Sequence, residues 1–160
     1  MRSGKFPVKR QLTAVFCCAV LCGLLAFKGG EGIRHLAEQT MTKLNAVYQS
    51  DSRGDKLKRF ELTINDEGFF RYRKYFQNGK QEYFSFNMQR LQDLDYLGNS
   101  EAGTLILRTR DEDVIVQTYN DRKGNIDSMA YQVQLPVKDI EAEDLHMIRE
   151  NLLQIKRELE

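Results

Sequence analysis

The chain has 160 residues, 41% of them hydrophobic, which is enough for one compact domain with a real core. Every charge before Glu31 is basic (Arg2, Lys5, Lys9, Arg10, Lys28), which leaves 19 basic against 23 acidic residues in the remainder. A body of about −4 argues against nucleic acid as the main partner, because neutralising phosphates needs a basic excess.

The first element is apolar. Leu12 to Phe27 are 16 residues without a charge, preceded by four basic residues and no acidic one, the pattern of an export signal. At ~1.5 Å per residue the run covers ~24 Å, short of a ~30 Å hydrocarbon core. The best cleavage position, after Ala26, has Leu24 at −3 where a small residue is needed, and none of the cysteines follows a small residue as lipid attachment requires. The reading is therefore an uncleaved anchor over residues 1–28 with its basic end in the cytoplasm and the globular part outside, in the periplasm or its equivalent. Secretion after cleavage near residue 26 is the alternative. Cys17, Cys18 and Cys22 all fall inside this run, so the rest of the chain has no thiol for a disulfide, a zinc site or nucleophilic catalysis. Residues 29–32 read as a short flexible joint.

From Ile33, the apolar positions Leu36, Ala37, Met41, Leu44, Val47 and Tyr48 recur every three or four residues, predicting an amphipathic helix over 33–49. The period then changes to two, and sheet is expected over 57–136. With Phe60, Leu62 and Ile64 inward, Phe70, Tyr72, Phe76, Phe84, Phe86 and Met88 share their parity. A two-residue turn at Asn78-Gly79 would pair even with odd positions and bring Arg71 and Arg73 to the buried face. A three-residue loop instead sets Phe70 opposite Phe86, Tyr72 opposite Phe84 and Lys74 opposite Glu82, with Gly79 left-handed; Asp66-Glu67-Gly68 repeats the device, placing Ile64 opposite Phe70. Leu94 and Tyr96 suggest a short strand, Leu105 and Leu107 point inward in the next, and Val114, Val116 and Thr118 follow across the turn 110–113. The last strand reads Met129, Tyr131, Val133 and Leu135 inward and stops at Pro136. Arg59, Glu61, Thr63, Arg71, Arg73, Ser85, Asn87, Arg108, Gln117, Ser128, Gln132 and Gln134 make the wet face. After Asp139, a plausible N-cap, Leu145, Ile148, Leu152, Ile155 and Leu159 form the stripe of a covering helix over 139–158.

The expected fold class is α+β: an N-terminal membrane segment and an amphipathic helix, then a seven-stranded antiparallel meander closed by a C-terminal helix, with 33–160 as a single globular domain. This has the element count of a pleckstrin-homology-like barrel, an analogy of fold that carries no function.

Chemistry is sparse. Asp121, Asn125 and Asp127 around Gly124 resemble a loose calcium loop, but Arg122 and Lys123 stand where oxygen ligands are needed, and a hairpin turn explains the same residues. Asp111, Glu112 and Asp113 are consecutive carboxylates at a turn, too exposed for acid–base work. His35 and His146 lie on separate helices, and no serine sits in a small-residue elbow. These readings predict a non-enzymatic chain without metal or cofactor. One candidate face remains: Arg71, Arg73, Tyr75, Tyr83, Ile115 and Tyr119 share the outer side of the sheet, and Tyr with Arg is enriched at protein contacts. The expected function is an envelope accessory or interaction module, its partner another envelope protein or a second copy, with the membrane engaged through 12–27. The alternative is a lipocalin-like carrier whose cavity is lined by Phe60, Phe70, Phe84, Phe86, Met129 and Tyr131.

Overall fold

A computed structural model describes residues 28–50 and 56–160; the expected membrane segment at 12–27 lies outside them. The architecture is α+β, with eight antiparallel strands in two sheets and a C-terminal helix. In chain order come α1 (Lys28–Val47), β1 (Leu57–Ile64), β2 (Phe69–Phe76), β3 (Gln81–Asn87), a 3-10 turn (Met88–Arg90), β4 (Leu91–Gly98), β5 (Ala102–Thr109), β6 (Val114–Tyr119), β7 (Asp127–Ala130), β8 (Gln132–Lys138) and α2 (Ala142–Leu159). Among the described residues no helix is long and apolar enough to cross a membrane.

The register of the first three strands follows the turn glycines. Ile64 faces Phe70, Phe70 faces Phe86, Tyr72 faces Phe84 and Lys74 faces Glu82. Gly68 at φ +76° and Gly79 at φ +86° occupy the left-handed region, which closes both loops at the length that keeps even residues on one side. Phe70, Tyr72 and Phe86 are fully buried, with Phe70 and Phe86 rings 5.2 Å apart and Tyr72 stacked on Phe84 at 5.6 Å. Tyr48 reaches into the same cluster, its hydroxyl 2.5 Å from that of Tyr72.

Beyond β3 the single meander is not what forms. The five-stranded sheet has the order β1-β2-β3-β6-β7 and the three-stranded sheet the order β4-β5-β8. The 3-10 turn redirects the chain after β3; Asn87 caps it by accepting from the Gln89 N–H, and the Met88 side chain is buried. The turn 110–113, expected as a hairpin tip, is a crossover between the sheets. Arg90 holds it from below, with guanidinium nitrogens 2.9 Å from both Asp111 Oδ2 and Asp113 Oδ1.

The expected last strand is two strands. It breaks at Tyr131, whose carbonyl accepts from the Thr109 N–H at 2.8 Å; β7 belongs to one sheet and β8 to the other. Val133 and Leu135 point inward, as expected, whereas Met129 (49% exposed) and Tyr131 (59%) point out. The reason is register: Ile115 pairs with Met129 and Val116 with Ser128, so in β7 the odd positions join the outer face and Ser128 lies on the Val116 side. Pro136 does not end β8. It sits on an edge strand with its carbonyl accepting from the Gln49 N–H at 2.9 Å, so its missing donor would have faced away from β5 and no ladder bond is lost. Ser85, expected in water, is buried and donates to the Phe70 carbonyl at 3.0 Å.

The helices differ from expectation at their starts. Residues 29–32, expected as a joint, are helical, continuing a helix that buries Ile33, Ala37, Met41 and Leu44. Asp139 is not the cap of α2: it has φ +50°, and the N–H groups of Asp139 and Ile140 bond the carbonyls of Glu101 and Ser100 before Glu141 opens the helix. Ile148, Leu152 and Ile155 are fully buried, and Lys43 of α1 pairs with Asp144 of α2 at 2.8 Å. Inner residues of both sheets and both helices form one cluster, so α2 covers the sheet interior.

Candidate interaction face

The outer side of the five-stranded sheet is built in cross-strand rows. One runs Thr63, Arg71, Ser85, Ile115, Met129; the next Glu61, Arg73, Tyr83, Gln117, Asp127; the third Arg59, Tyr75, Gln81, Tyr119. Arg71, Arg73, Tyr75, Tyr83, Ile115 and Tyr119 therefore share one face, because strict alternation along β2, β3 and β6 meets an even-to-even register at each pairing.

The basic end of this face is a network. Arg73 Nη1 donates to Tyr75 Oη at 3.2 Å, Tyr75 Oη donates to Glu61 Oε2 at 3.1 Å, and Arg59 Nη1 lies 2.6 Å from Glu61 Oε1. Arg59 also stacks 3.7 Å over the Tyr75 ring, and Arg73 lies 5.0 Å over Tyr83. The bond to Tyr75, helped by the field of Glu61, raises the pKa of Arg73 against the opposing effect of its partial burial, so its charge is permanent. Among the described residues Arg73 makes no direct ion pair; its nearest carboxylate, Glu61, is reached through Tyr75. With Arg71, Glu61, Thr63 and Tyr83 it lines a shallow hollow of about 150 Å³.

The other end is apolar. Ile115 (38% exposed), Tyr119 (44%), Met129 and Tyr131 stand in water, with Ile126 close by in the turn. Met129 was missed because its own parity matches Val133 and Leu135; the signal that would have found it is the length of the turn after Tyr119, which sets Ile115 against Met129.

That turn also settles the polar run 120–126. Asn120 (φ +56°) and Gly124 (φ +102°) supply left-handed positions, Asp121 Oδ1 accepts from the Lys123 N–H at 2.9 Å, and Asn125 Oδ1 accepts from the Asp121 N–H at 3.1 Å. The second Asp121 oxygen pairs with Lys80 at 3.0 Å, and Asp127 accepts from Gln117 Nε2 at 3.3 Å. These side chains serve the turn and its neighbours. Among the described residues no group of three or more His, Cys, Asp or Glu is placed to hold a metal.

Lys80 belongs to a second network at the same end of the sheet, on the inner side. It bonds Glu82 at 3.0 Å, and Lys74 bonds Glu82 at 3.1 Å while lying over the Tyr72 and Phe84 rings. Burial pushes the Glu82 carboxyl up, but the two lysines together outweigh it and hold its pKa below the usual value. The carrier lining is not assembled as expected, since Met129 and Tyr131 lie outside. Compared with protein-family models, with curated proteins and with solved structures, the chain matches none.

Proposed function

We propose that the chain is a non-enzymatic module of the cell envelope, tethered to a membrane through residues 12–27 with its sheet domain outside the cytoplasm, and that it docks another envelope protein through the outer face of the five-stranded sheet. The observation that carries this reading is the composition of that face: Arg73, held through Tyr75 and without a direct ion pair among the described residues, beside Arg71 and Tyr83, grading within the same sheet into exposed Tyr119, Ile115 and Met129. Aromatic and arginine side chains fixed by their own network lose little freedom on docking, which favours them as anchors. A role outside catalysis is supported by the perturbed groups among the described residues: Arg34, Arg73, Lys80, Glu82, Arg90, Asp113 and Asp121 each owe their shift to a neighbour in an ion pair or hydrogen-bond network. Carriage of an apolar ligand has less support, because the aromatic rings of the interior pack on one another.

The test is chemical cross-linking in intact envelopes with wild type and an Arg73→Glu, Tyr119→Ala double variant. Loss of the cross-linked partner with unchanged folding supports the face; a partner retained by the double variant overturns it. Mass measurement of the membrane fraction tests the tether: an intact Met1 supports it, and a start near Phe27 in the soluble envelope fraction removes it.

A further inference from the structure

A different observation concerns the side of the sheet rather than its face. Open strand edges invite pairing with other chains, and proteins guard them with lysine, proline, bulges or covering elements. β1 has a bulge at Leu57/Arg59 and α1 beside it; β4 has a bulge at Leu91/Asp93; β8 has Pro136, Lys138 and the bridge from Tyr48 to Val137. Among the described residues β7 ends the five-stranded sheet with none of these devices, and every residue from 122 to 129 is exposed. Only its four-residue length limits it.

Which backbone groups it offers follows from the ladder. The Thr118 N–H donates to the Ile126 carbonyl at 2.9 Å, so that pair and, by alternation, Val116 with Ser128 and Val114 with Ala130 exchange the hydrogen bonds of β6 with β7. The N–H and C=O of Asp127 and of Met129 are thereby turned to the open side. An incoming strand could form about four backbone bonds there. On the outer face its side chains would stand opposite Met129, flanked by Ile115 and Tyr131, and opposite Asp127, which has no ion pair among the described residues.

We propose that the edge of β7 takes up an extended segment of another protein as an added antiparallel strand, carrying an apolar residue opposite Met129 and a lysine or arginine two positions later opposite Asp127. Charge decides against a second copy as occupant. β7 is Asp-Ser-Met-Ala and contains no cation, so self-pairing leaves Asp127 facing Met129 or Tyr131 of the other molecule.

The experiment uses the full chain in detergent micelles and a labelled, end-blocked peptide, Thr-Val-Thr-Val-Thr-Lys-Thr, read by fluorescence anisotropy, with amide exchange at Met129 as the local signal. The peptide is expected to bind and to slow that exchange. N-methylation at its second valine and its lysine, the two amides aimed at β7, should weaken binding about tenfold or more, from bonds of about 1 kcal/mol each. Replacing the lysine by glutamate should weaken it similarly, and Asp127→Lys should reverse that preference. The Arg73→Glu, Tyr119→Ala variant should bind the peptide as wild type does, which separates this site from the docking face. Absence of binding, equal binding of the N-methylated peptide, an unchanged preference in Asp127→Lys, or a peptide-free dimer that blocks uptake would each overturn the proposal.

Discussion

The β2–β3 hairpin and the β7–β8 run carry the same two-residue alternation, yet the first buries Phe70, Tyr72 and Phe86 completely while the second leaves Met129 and Tyr131 in water. In the hairpin, both strands lie in one sheet and a left-handed glycine fixes how many residues the loop absorbs, so the parity of one strand dictates that of the next. In the β7–β8 run the chain changes sheet at Tyr131, and each half takes its facing from a different neighbour, β6 for one and β5 for the other. Alternation therefore reports that a segment is extended; only a partner strand says which side is inside.

That contrast is broken most sharply by truncating the large side chain in each region. Phe70→Ala should cost about 3–5 kcal/mol in chemical denaturation, whereas Met129→Ala should stay within about 0.5 kcal/mol. Equal losses would mean that Met129 is buried after all. The turn glycines sharpen the account of the hairpin. A Cβ at Gly68 would run into the Leu159 side chain as well as sit in the left-handed region, while Gly79 has nothing within 4 Å. Gly79→Ala should cost about 1 kcal/mol from backbone conformation alone, and Gly68→Ala should cost more, about 2 kcal/mol, because Leu159 must also move. Thermal melts of the two variants check the order.

A further effect is electrostatic. Glu82 has a folded pKa below its unfolded value of about 4.3, so its contribution is present above that pH and is lost as pH falls through the folded pKa. Wild type should exceed Glu82→Gln by about 1 kcal/mol at neutral pH, the gap closing as acid protonates the Glu82 carboxyl. A gap that persists in acid would assign the effect to packing rather than to the lysines.

Much of the molecule was legible because local chemistry fixed it. The stripes Ile33-Ala37-Met41-Leu44 and Ile148-Leu152-Ile155, the two glycine loops and the pairings of β1 to β3 all follow from spacing and turn type. The six outer-face positions followed from the same register. What escaped depends on contacts distant in sequence. The separation of β4, β5 and β8 into their own sheet rests on a 3-10 turn clasped through Arg90 to residues some 21 positions later, and no periodicity encodes that partner. Pro136 resembles a terminus in sequence because its missing donor costs a ladder bond in most strands, and only the distant Gln49, bonded to its carbonyl on the open side, removes that cost. Asp139 looked like a cap because its residue type suits one, but the neighbouring turn at Ser100 and Glu101 takes those backbone groups first.

The switch at Tyr131 also links the two sheets. One uninterrupted backbone forms the exposed rim of the larger sheet, passes beneath Thr109, and enters the smaller sheet, where Val137 bridges Tyr48 at the end of α1. The open edge at Met129 and the bridge at Val137 thus lie on one continuous stretch of backbone, which joins the rim to the aromatic cluster through Tyr48 by way of β8.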